Sequence, residues 1–309
     1  MEENEQNLIC LTVQFFHSGS EYKQSSDSGV MPWNEGTHHR KFLCAKGDYV
    51  RDGKRVEKSS LCFWGEWEPT SEFNKTGRSK PPFYTHRPFV QDKDMATGNC
   101  KNTDPFVFSD EFIYHCCLQV RKMGSTQLYS LDKGSVILFG SHIGNKFALD
   151  TVFVVAESRE YSIQTAMFDL KGFVSKRNIE VAGIGHASYS GSCWGACAPH
   201  VDHKGKPVHF RCYKGATLEN PINGMYSFVP CRLVTGSNAF FERPMLSHNE
   251  ISFINERMKQ GFKTAPNTGL DNAKQVWKAV LQLCRDQKYL EGLRFYFNNS
   301  NPTPIMTIE

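Results

Sequence analysis

The sequence places an acidic side chain in a rigid aromatic setting at Asp104-Pro105-Phe106, two residues after Asn102. Proline fixes its own φ and biases the residue before it toward an extended backbone, so the carboxylate of Asp104 is expected on a stiff turn. A carboxylate beside an aromatic ring can act on a nucleotide sugar while the ring stacks on the base. Asp104 and Asn102 are therefore candidate catalytic residues, and Phe106 is a candidate base-binding residue. The alternative is that Asp104 caps a turn and Phe106 belongs to the core of the next strand.

A second group of candidates lies in the stretch 64–69, where two tryptophans and two glutamates fall within five residues. Such side chains can line one wall of a pocket, which makes Trp64, Trp67 and Glu66 candidate base-binding residues. Asp150, at an apolar strand, is a further carboxylate for the same site. The alternatives are a half-buried strand with solvated carboxylates and, for Asp150, an ordinary hydrogen-bonded strand residue.

The segment 73–93 interleaves cations with aromatic side chains, with five cations and four aromatics against one carboxylate. Cations neutralise phosphates and aromatic faces stack on unpaired bases, so this composition suits a loop that grips a nucleic-acid strand. The candidate nucleic-acid contacts are Lys75, Arg78, Lys80 and Arg87, together with the earlier group His38, His39 and Arg40. The alternative is a surface linker whose charges are simply solvated.

A glycine-rich tract further along the chain carries cysteines and histidines that zinc could bind. The six residues fall within a span of twenty: Cys193, Cys197, His200, His203, His209 and Cys212. Thiolates and imidazoles are the ligands that zinc prefers, but this spacing fits no zinc-finger template. We expect no cofactor, with a structural zinc at Cys193, Cys197, His200 and His203 as the alternative.

The elements that must position these residues are mostly strands. Alternating apolar residues predict a first strand over 8–16 and a β-hairpin whose strands precede His142 and span 147–156. Helical spacing predicts a short helix over 249–258 and a longer one capped by Asp271, before a last strand over 293–297. The predicted fold is α+β: a β-rich mixed sheet or barrel with C-terminal helices packed against it. We expect one large domain over 1–309, with a β-rich core at about 1–245 and a helical part at about 246–309.

Composition excludes several classes of protein. No stretch approaches the ~20 apolar residues of a membrane helix, and the first residues are acidic, which predicts a cytoplasmic protein without membrane contact. Eleven cysteines in mostly apolar surroundings indicate reduced thiols. A net charge of +4 and a pI of about 8.4 permit nucleic-acid binding but fall below the values of strongly basic binders. The absence of a P-loop and of a dinucleotide-binding glycine motif argues against nucleotide hydrolysis and dinucleotide chemistry.

Three resemblances bear on function. Asp104-Pro105-Phe106 resembles the Asp-Pro-aromatic element of uracil-DNA glycosylases, in which the acid handles water or the developing sugar cation and the aromatic stacks on the flipped base. The charged turn, glycine and paired apolar strands of 128–156 resemble PUA-like barrels of the ASCH, EVE and YTH groups, many of which read RNA or modified bases. Taken together, the stretches 64–69, 102–106, 134–141 and 149–155 are similar to sparsely characterised bacterial proteins of modified-DNA recognition and phage defence, including glycosylases that remove hypermodified cytosines.

These observations lead to one expected function and two alternatives. The expected function is a DNA glycosylase of antiphage defence that flips a modified base into an aromatic pocket and excises it. Its expected partner is DNA, including phage DNA with modified bases. The first alternative is a non-catalytic reader of a modified base, of the PUA-like type. The second is a zinc-stabilised interaction protein.

Overall fold

The computed structural model of the chain describes residues 8–17, 21, 28–33, 38–91, 102–121, 124–185, 207–234 and 240–298. Strands predominate there and helices are few, so the expected β-rich α+β fold is confirmed. The strands are β1 (Thr12–Phe16), β2 (Ser28–Met31), β3 (Lys41–Arg51), β4 (Lys54–Gly65), β5 (Ser71–Lys75), β6 (Tyr84–Pro88), β7 (Ile113–Tyr114), β8 (Val120–Arg121), β9 (Gly124–Ser125), β10 (Val136–Ile143), β11 (Lys146–Ser162), β12 (His209–Gly215), β13 (Val229–Leu233), β14 (Met245–Leu246), β15 (Gly261–Thr264) and β16 (Leu290–Tyr296). The helices are α1 (Ala166–Asp169), α2 (Lys176–Ala182) and α3 (Leu270–Asp286), with a 3₁₀ helix at Gln127–Ser130.

The first sheet is mixed and has the order β15-β1-β10-β11-β12-β7, with β14 also pairing with β11. β1 and β10 are parallel, with Phe15 opposite Phe139, and the other pairs are antiparallel. β11 is 17 residues long, so its first half pairs with β10 and its second half with β12. The predicted hairpin is confirmed as β10 and β11.

The second sheet has the order β16-β13-β4-β3-β6-β5-β2, and β16 also pairs with β3. The strands β3, β4, β13 and β16 therefore form a closed ring of antiparallel pairs. β6 joins β3 in parallel at Leu43 and His86, and β5 and β2 extend the sheet beyond it. Closing a ring pairs both edges of each of its strands, which protects these edges from pairing with another chain.

The first sheet is buried on both faces, which explains the unbroken apolar run Val136-Ile137-Leu138-Phe139, all fully buried. Ile137 and Phe139 pack in the core shared with the second sheet, which contains Leu43, Leu61 and Phe63. Val136 and Leu138 pack in the core that contains Ala273, Trp277 and Val280 of α3. Had one face of this sheet been in contact with water, apolar and polar residues would alternate along β10.

The C-terminal part differs from its prediction in two ways. Residues 249–258 form turns instead of a helix, and α3 begins after Gly269, with Asp271 in its first turn instead of at the cap. This part also supplies strands, since β15 pairs with β1 and β16 pairs with β3 and β13. No helix in the described ranges is long and apolar enough to cross a membrane.

Candidate active site

The ends of three strands bring ionisable side chains together between the two sheets. His17 follows β1, residues 38–40 precede β3, and Glu66 follows β4. The first pair of the β3–β4 ladder joins Lys41 to Gly65, so the start of one strand lies beside the end of the other. The last pair of the β1–β10 ladder places the end of β1 beside Gly140. We call the resulting group the central cluster: His17, His38, Arg40, Glu66, Glu68, Asp150 and Arg243.

Glu66 lies at the middle of the central cluster and is buried. Its Oε2 is 2.8 Å from His17 Nδ1 and accepts a hydrogen bond of 2.7 Å from Arg40. Its Oε1 is 3.0 Å from His38 Nδ1 and accepts a hydrogen bond of 3.2 Å from the backbone N–H of Asp104. Two hydrogen bonds and two imidazole nitrogens thus converge on one carboxylate, which fixes its orientation.

Asp150 enters the cluster from the first sheet because it is the extra residue of a β-bulge. Phe139 pairs with Thr151 and Gly140 pairs with Leu149, which leaves Asp150 without a partner in the β10–β11 ladder. Bulges re-aim side chains, and this one directs the carboxylate of Asp150 toward two arginines. It lies 2.6 Å from Arg40 Nε and 3.2 Å from Arg243 Nη1. The ionic chain therefore runs from His17 through Glu66, Arg40 and Asp150 to Arg243.

Glu68 is the carboxylate of the cluster whose oxygens accept no hydrogen bond from the described residues. It is 0% exposed. Its Oε1 lies 3.4 Å from His38 Nδ1, while its backbone N–H donates to Thr103 Oγ1 at 3.0 Å. A buried carboxylate without hydrogen bonds is costly, so it indicates a missing partner.

The charges of the cluster shift the pKa values of its imidazoles upward. Burial lowers the pKa of His38, but the neighbouring carboxylates of Glu66 and Glu68 outweigh it and raise that pKa well above its ordinary value. Burial and the carboxylate of Glu66 compete in the same way at His17, and its pKa is raised. Burial raises the pKa of Glu66, but the two imidazoles reverse this and hold it well below its ordinary value. The cluster therefore favours the ionised form of Glu66 and the positively charged forms of His17 and His38.

Asp104 is next to the cluster but does not face an open cleft, which corrects the expected position of its carboxylate. It is 0% exposed, and its oxygens accept backbone hydrogen bonds of 3.0, 3.0 and 2.8 Å from His115, Cys116 and Cys117. The peptide bond to Pro105 is cis. The three hydrogen bonds satisfy the carboxylate and hold the segment 115–117 against the turn.

Asn102 is buried, and its amide Nδ2 lies 3.3 Å from Cys116 Sγ and 3.6 Å from Cys117 Sγ. The adjacent thiols are thus part of its surroundings, which the sequence did not predict. A hydrogen bond from Cys116 lowers the pKa of the Cys117 thiol, against the effect of burial, and His17 contributes in the same direction. Asn102 therefore connects the Asp104 turn to the thiols of Cys116 and Cys117.

The three candidate base-stacking rings are buried in the core. Phe106 is 5.8 Å from the ring of Phe108, and Trp67 is 4.5 Å from the same ring. Trp64 donates its indole N–H to the carbonyl of Phe241 at 2.9 Å and carries the Arg243 guanidinium 4.8 Å above its ring. None of these three residues presents an open ring face to a base. The expected stacking platform is therefore not formed.

The candidate nucleic-acid contacts separate into two sets. Lys75, Arg78 and Lys80 are exposed at the connection between β5 and β6. Arg87 is half-buried, 3.9 Å from Glu72. The earlier group lies inside: His39 is half-buried, and Arg40 is fully buried against Glu66 and Asp150, which corrects its expected contact with phosphate.

The expected zinc ligands Cys193, Cys197, His200 and His203 lie outside the described residues. Within the described ranges, two other groups hold three possible ligand atoms within 4.8 Å of one another. One consists of His38, Glu66 and Glu68, and the other of Asp104, His115 and Cys116. In the second group the Asp104 carboxylate is already saturated by backbone donors, so the first is the better candidate.

Four of the candidates named from the sequence lie together in the central cluster: Glu66, Asp150, His38 and Arg40. Several of their neighbours were missed, namely His17, Lys41, Glu68 and Arg243. Glu68 had a usable signal, because side chains two residues apart in an extended segment point to the same side. His17 and Arg243 had none, since nothing local marks the end of a buried strand or a loop arginine as part of a site.

No family model, no curated protein and no solved structure matches this chain. Function must therefore be argued from the site itself. The chemistry available there is that of three buried carboxylates, two imidazoles and two buried arginines.

Proposed function

We propose that the protein is a DNA glycosylase that excises a modified base and that its reacting centre is the central cluster instead of Asp104. One observation carries this proposal: carboxylate oxygens of Glu66 and Glu68 lie within 4.8 Å of each other, beside His17 and His38. Paired carboxylates with different environments are the usual means of hydrolysing glycosidic bonds. Here Glu66 is saturated by donors, whereas the oxygens of Glu68 accept no hydrogen bond from the described residues.

The different environments of these groups suggest their roles. Glu68 accepts a proton from the water that attacks C1′ of the sugar, while the bond between C1′ and the base nitrogen breaks. The leaving base takes that electron pair and a proton from the His17 imidazolium, which Glu66 holds in place at 2.8 Å. The negative charge of Glu66 and Glu68 stabilises the positive charge that develops on the sugar.

The exposed cations support DNA as the substrate. The guanidinium of Arg78 lies 5.4 Å from the ring centroid of Phe240, which is 5.8 Å from the ring of Phe42. A DNA strand bound along Lys75, Arg78 and Lys80 would thus lie near Phe240. The nearby residue Arg243, three residues after Phe240, contacts Asp150 of the central cluster.

The proposal is tested by incubating the pure protein with ordinary DNA and with phage DNA that carries modified cytosines, then measuring alkali-labile sites. The wild-type chain is expected to create such sites on modified DNA. Glu68→Gln is expected to lower the rate by about 10² or more while DNA affinity is kept. The matched control is Glu57→Gln, an exposed position on β4, which should keep the full rate.

A second measurement tests the DNA contact. Replacing Lys75, Arg78 and Lys80 by alanine should reduce the slope of log affinity against log salt by about 2.7, roughly 0.9 per lost phosphate contact. The control replaces three exposed lysines elsewhere, Lys259, Lys278 and Lys288, and should leave the slope unchanged. Binding without alkali-labile sites would make the protein a reader, and an unchanged slope in the first variant would remove DNA from this surface.

A further inference from the structure

We infer that His38, Glu66 and Glu68 form a binding site for one divalent transition-metal ion. These side chains come from two segments of the second sheet, just before β3 and just after β4, which the β3–β4 ladder holds side by side. Each offers one ligand atom, and the three atoms lie within 4.8 Å of one another. The inference depends on this geometry and on no property of the substrate.

The distances between the ligand atoms match those around a metal ion. His38 Nδ1 is 3.0 Å from Glu66 Oε1 and 3.4 Å from Glu68 Oε1. Nitrogen and oxygen ligands lie about 2.0–2.2 Å from zinc, so two neighbouring ligand atoms are separated by roughly 3.0–3.5 Å in tetrahedral or octahedral sites. The two separations from His38 Nδ1 thus fall in the range expected for ligands of one ion, and the two carboxylates lie within 4.8 Å of each other.

Among the described residues, Glu68 contacts one cationic group, the imidazole of His38 at 3.4 Å. Arg40 is used by Glu66 and Asp150, and Arg243 by Asp150. The ammonium group of Lys41 donates a hydrogen bond to the backbone carbonyl of Trp67. Glu68 remains fully buried and accepts no hydrogen bond from the described residues, which is the second observation that points to a ligand. A bound divalent cation would take the place of the His38 proton and bring a second positive charge to the two carboxylates.

Two residues next to the site, Arg40 and His17, hold the carboxylate of Glu66 in a fixed orientation. The Glu66 oxygen that faces away from His38 contacts Arg40 at 2.7 Å and His17 at 2.8 Å. This leaves Oε1 for His38 and for the backbone N–H of Asp104. Partners that fix ligand orientation in this way are typical of metal centres.

The ligand set favours Zn²⁺, Mn²⁺ or Fe²⁺, because one imidazole and two carboxylates suit these ions better than Ca²⁺ or Mg²⁺. Where the inference bears on mechanism, it rests on the proposed function: with an ion bound, Glu68 would be its ligand instead of the proton acceptor, and the attacking water would bind the ion. A metal-bound water loses its proton near neutral pH, so the ion would supply the nucleophile.

The test is metal binding by the full chain. The protein is stripped with a chelator, titrated with Co²⁺, Zn²⁺ or Mn²⁺ alone, and its metal content is measured together with the visible absorption of bound Co²⁺. We expect one ion per chain at this site and a metal-dependent rise in Tm. Glu68→Gln and His38→Gln should weaken binding by about tenfold or more, since each removes one first-sphere ligand, and the Tm rise should shrink accordingly.

Two controls assign the ion to this site. Glu57→Gln, which removes an exposed carboxylate of β4, should bind like wild type. Cys193→Ser/Cys197→Ser should keep the same ion, because the cysteine-rich tract is a different place in the chain. The chelated Glu68→Gln variant should be folded and at least as stable as the chelated wild type, since it no longer buries an unsatisfied charge.

Three results would overturn the inference: no ion bound by the wild type, an ion that survives Glu68→Gln but disappears with the cysteine variant, or a chelated Glu68→Gln variant less stable than wild type. Base excision without a bound ion would overturn the metal site alone. A bound ion without excision would overturn the proposed function alone.

Discussion

Asp104 and Glu68 are both fully buried carboxylates, yet their surroundings give them opposite properties. Asp104 accepts three backbone hydrogen bonds and is satisfied by its own chain. Glu68 accepts none from the described residues. A satisfied buried carboxylate stabilises the fold, whereas an unsatisfied one destabilises it and is retained for another purpose. At the scale of residues, this difference separates a carboxylate that stabilises the fold from the one to which we assign the chemistry.

The first prediction concerns Asp104→Asn. The amide of asparagine turns one of the two accepting oxygens into a donor, which then faces a backbone N–H of residues 115–117. We expect the free energy of unfolding to fall by about 2–4 kcal/mol in urea titration, because hydrogen bonds to a charged acceptor are lost. Asp110→Asn is the control, since Asp110 is 76% exposed in its pair with Arg294 and should cost little. A variant as stable as wild type would contradict the structural role of Asp104.

The second prediction concerns His86, which is buried on β6 with its Nδ1 3.1 Å from Ser71 Oγ. Burial, with a contribution from Lys41, lowers the pKa of His86 to about 3. At pH values between about 3 and the ordinary histidine pKa near 6.5, His86 is protonated in the unfolded chain and neutral in the folded chain. The stability due to neutral His86 is therefore complete above about pH 6.5 and decreases as the pH falls, by about 2 kcal/mol at pH 5.

His86→Asn should flatten this part of the curve of unfolding free energy against pH. Urea titrations at several pH values between about 4.5 and 7.5, on either side of the ordinary histidine pKa, measure it. His248→Gln, at an exposed position, should leave the curve unchanged. Parallel curves for the wild type and His86→Asn would show that His86 does not titrate as expected.

At the scale of elements, the bulge in the β10–β11 hairpin is the feature that connects fold and site. A regular ladder would place successive side chains on alternate faces, and Asp150 would then be paired across from β10. The extra residue changes the direction of its side chain, so that Asp150 meets Arg40 and Arg243. Gly140, directly at the register shift, lets the two strands approach closely there.

The third prediction compares two glycines of this hairpin. A Cβ at Gly140 would lie 2.2 Å from the carbonyl oxygen of Ala148 and 2.6 Å from Phe147 Cζ, so Gly140→Ala must displace the bulge. We expect a loss of about 2–3 kcal/mol in the free energy of unfolding, measured by urea titration. Gly144 lies in the turn with φ +54° and no atom within 4 Å of its Cβ position, so Gly144→Ala should cost about 1 kcal/mol. Equal losses for the two variants would contradict the close approach at Gly140.

At the scale of the whole molecule, the central cluster joins the two sheets. Arg40 precedes β3 of the second sheet and contacts Asp150 of the first, as well as Glu66 after β4. The two hydrophobic cores of the molecule are apolar, and the central cluster is a buried polar group next to them. Buried ion pairs contribute little net stability when complete, but breaking one leaves an uncompensated charge inside.

The fourth prediction is therefore that Arg40→Met lowers the free energy of unfolding by about 3–5 kcal/mol, because Glu66 and Asp150 lose their shared partner. Thermal and urea unfolding measure the loss. Arg294→Met, which removes a more exposed arginine paired with Asp110, should cost about 1 kcal/mol or less. Equal losses for Arg40→Met and Arg294→Met would contradict this cause.

Local patterns in the sequence were sufficient to identify many of the elements. The apolar runs at 136–139 and 147–156 predicted the β10–β11 hairpin, because a strand's periodicity and its turn are both local properties. The helical face around Trp277 was predicted for the same reason, whereas residues 249–258 have helical spacing but form turns. Short segments follow their tertiary surroundings more than their own periodicity.

By itself, the sequence determined the strand-rich character of the chain and the residue types available for chemistry: Glu66, Asp150, His38 and Arg40 were candidates before any fold was known. Tertiary structure alone decided which of the carboxylates is satisfied and which is not. Asp104 is saturated by amides of residues 115–117, and His17 reaches Glu66 from a distant strand. The physical reason is that hydrogen bonding and burial depend on contacts between segments far apart in the chain, which no local pattern encodes.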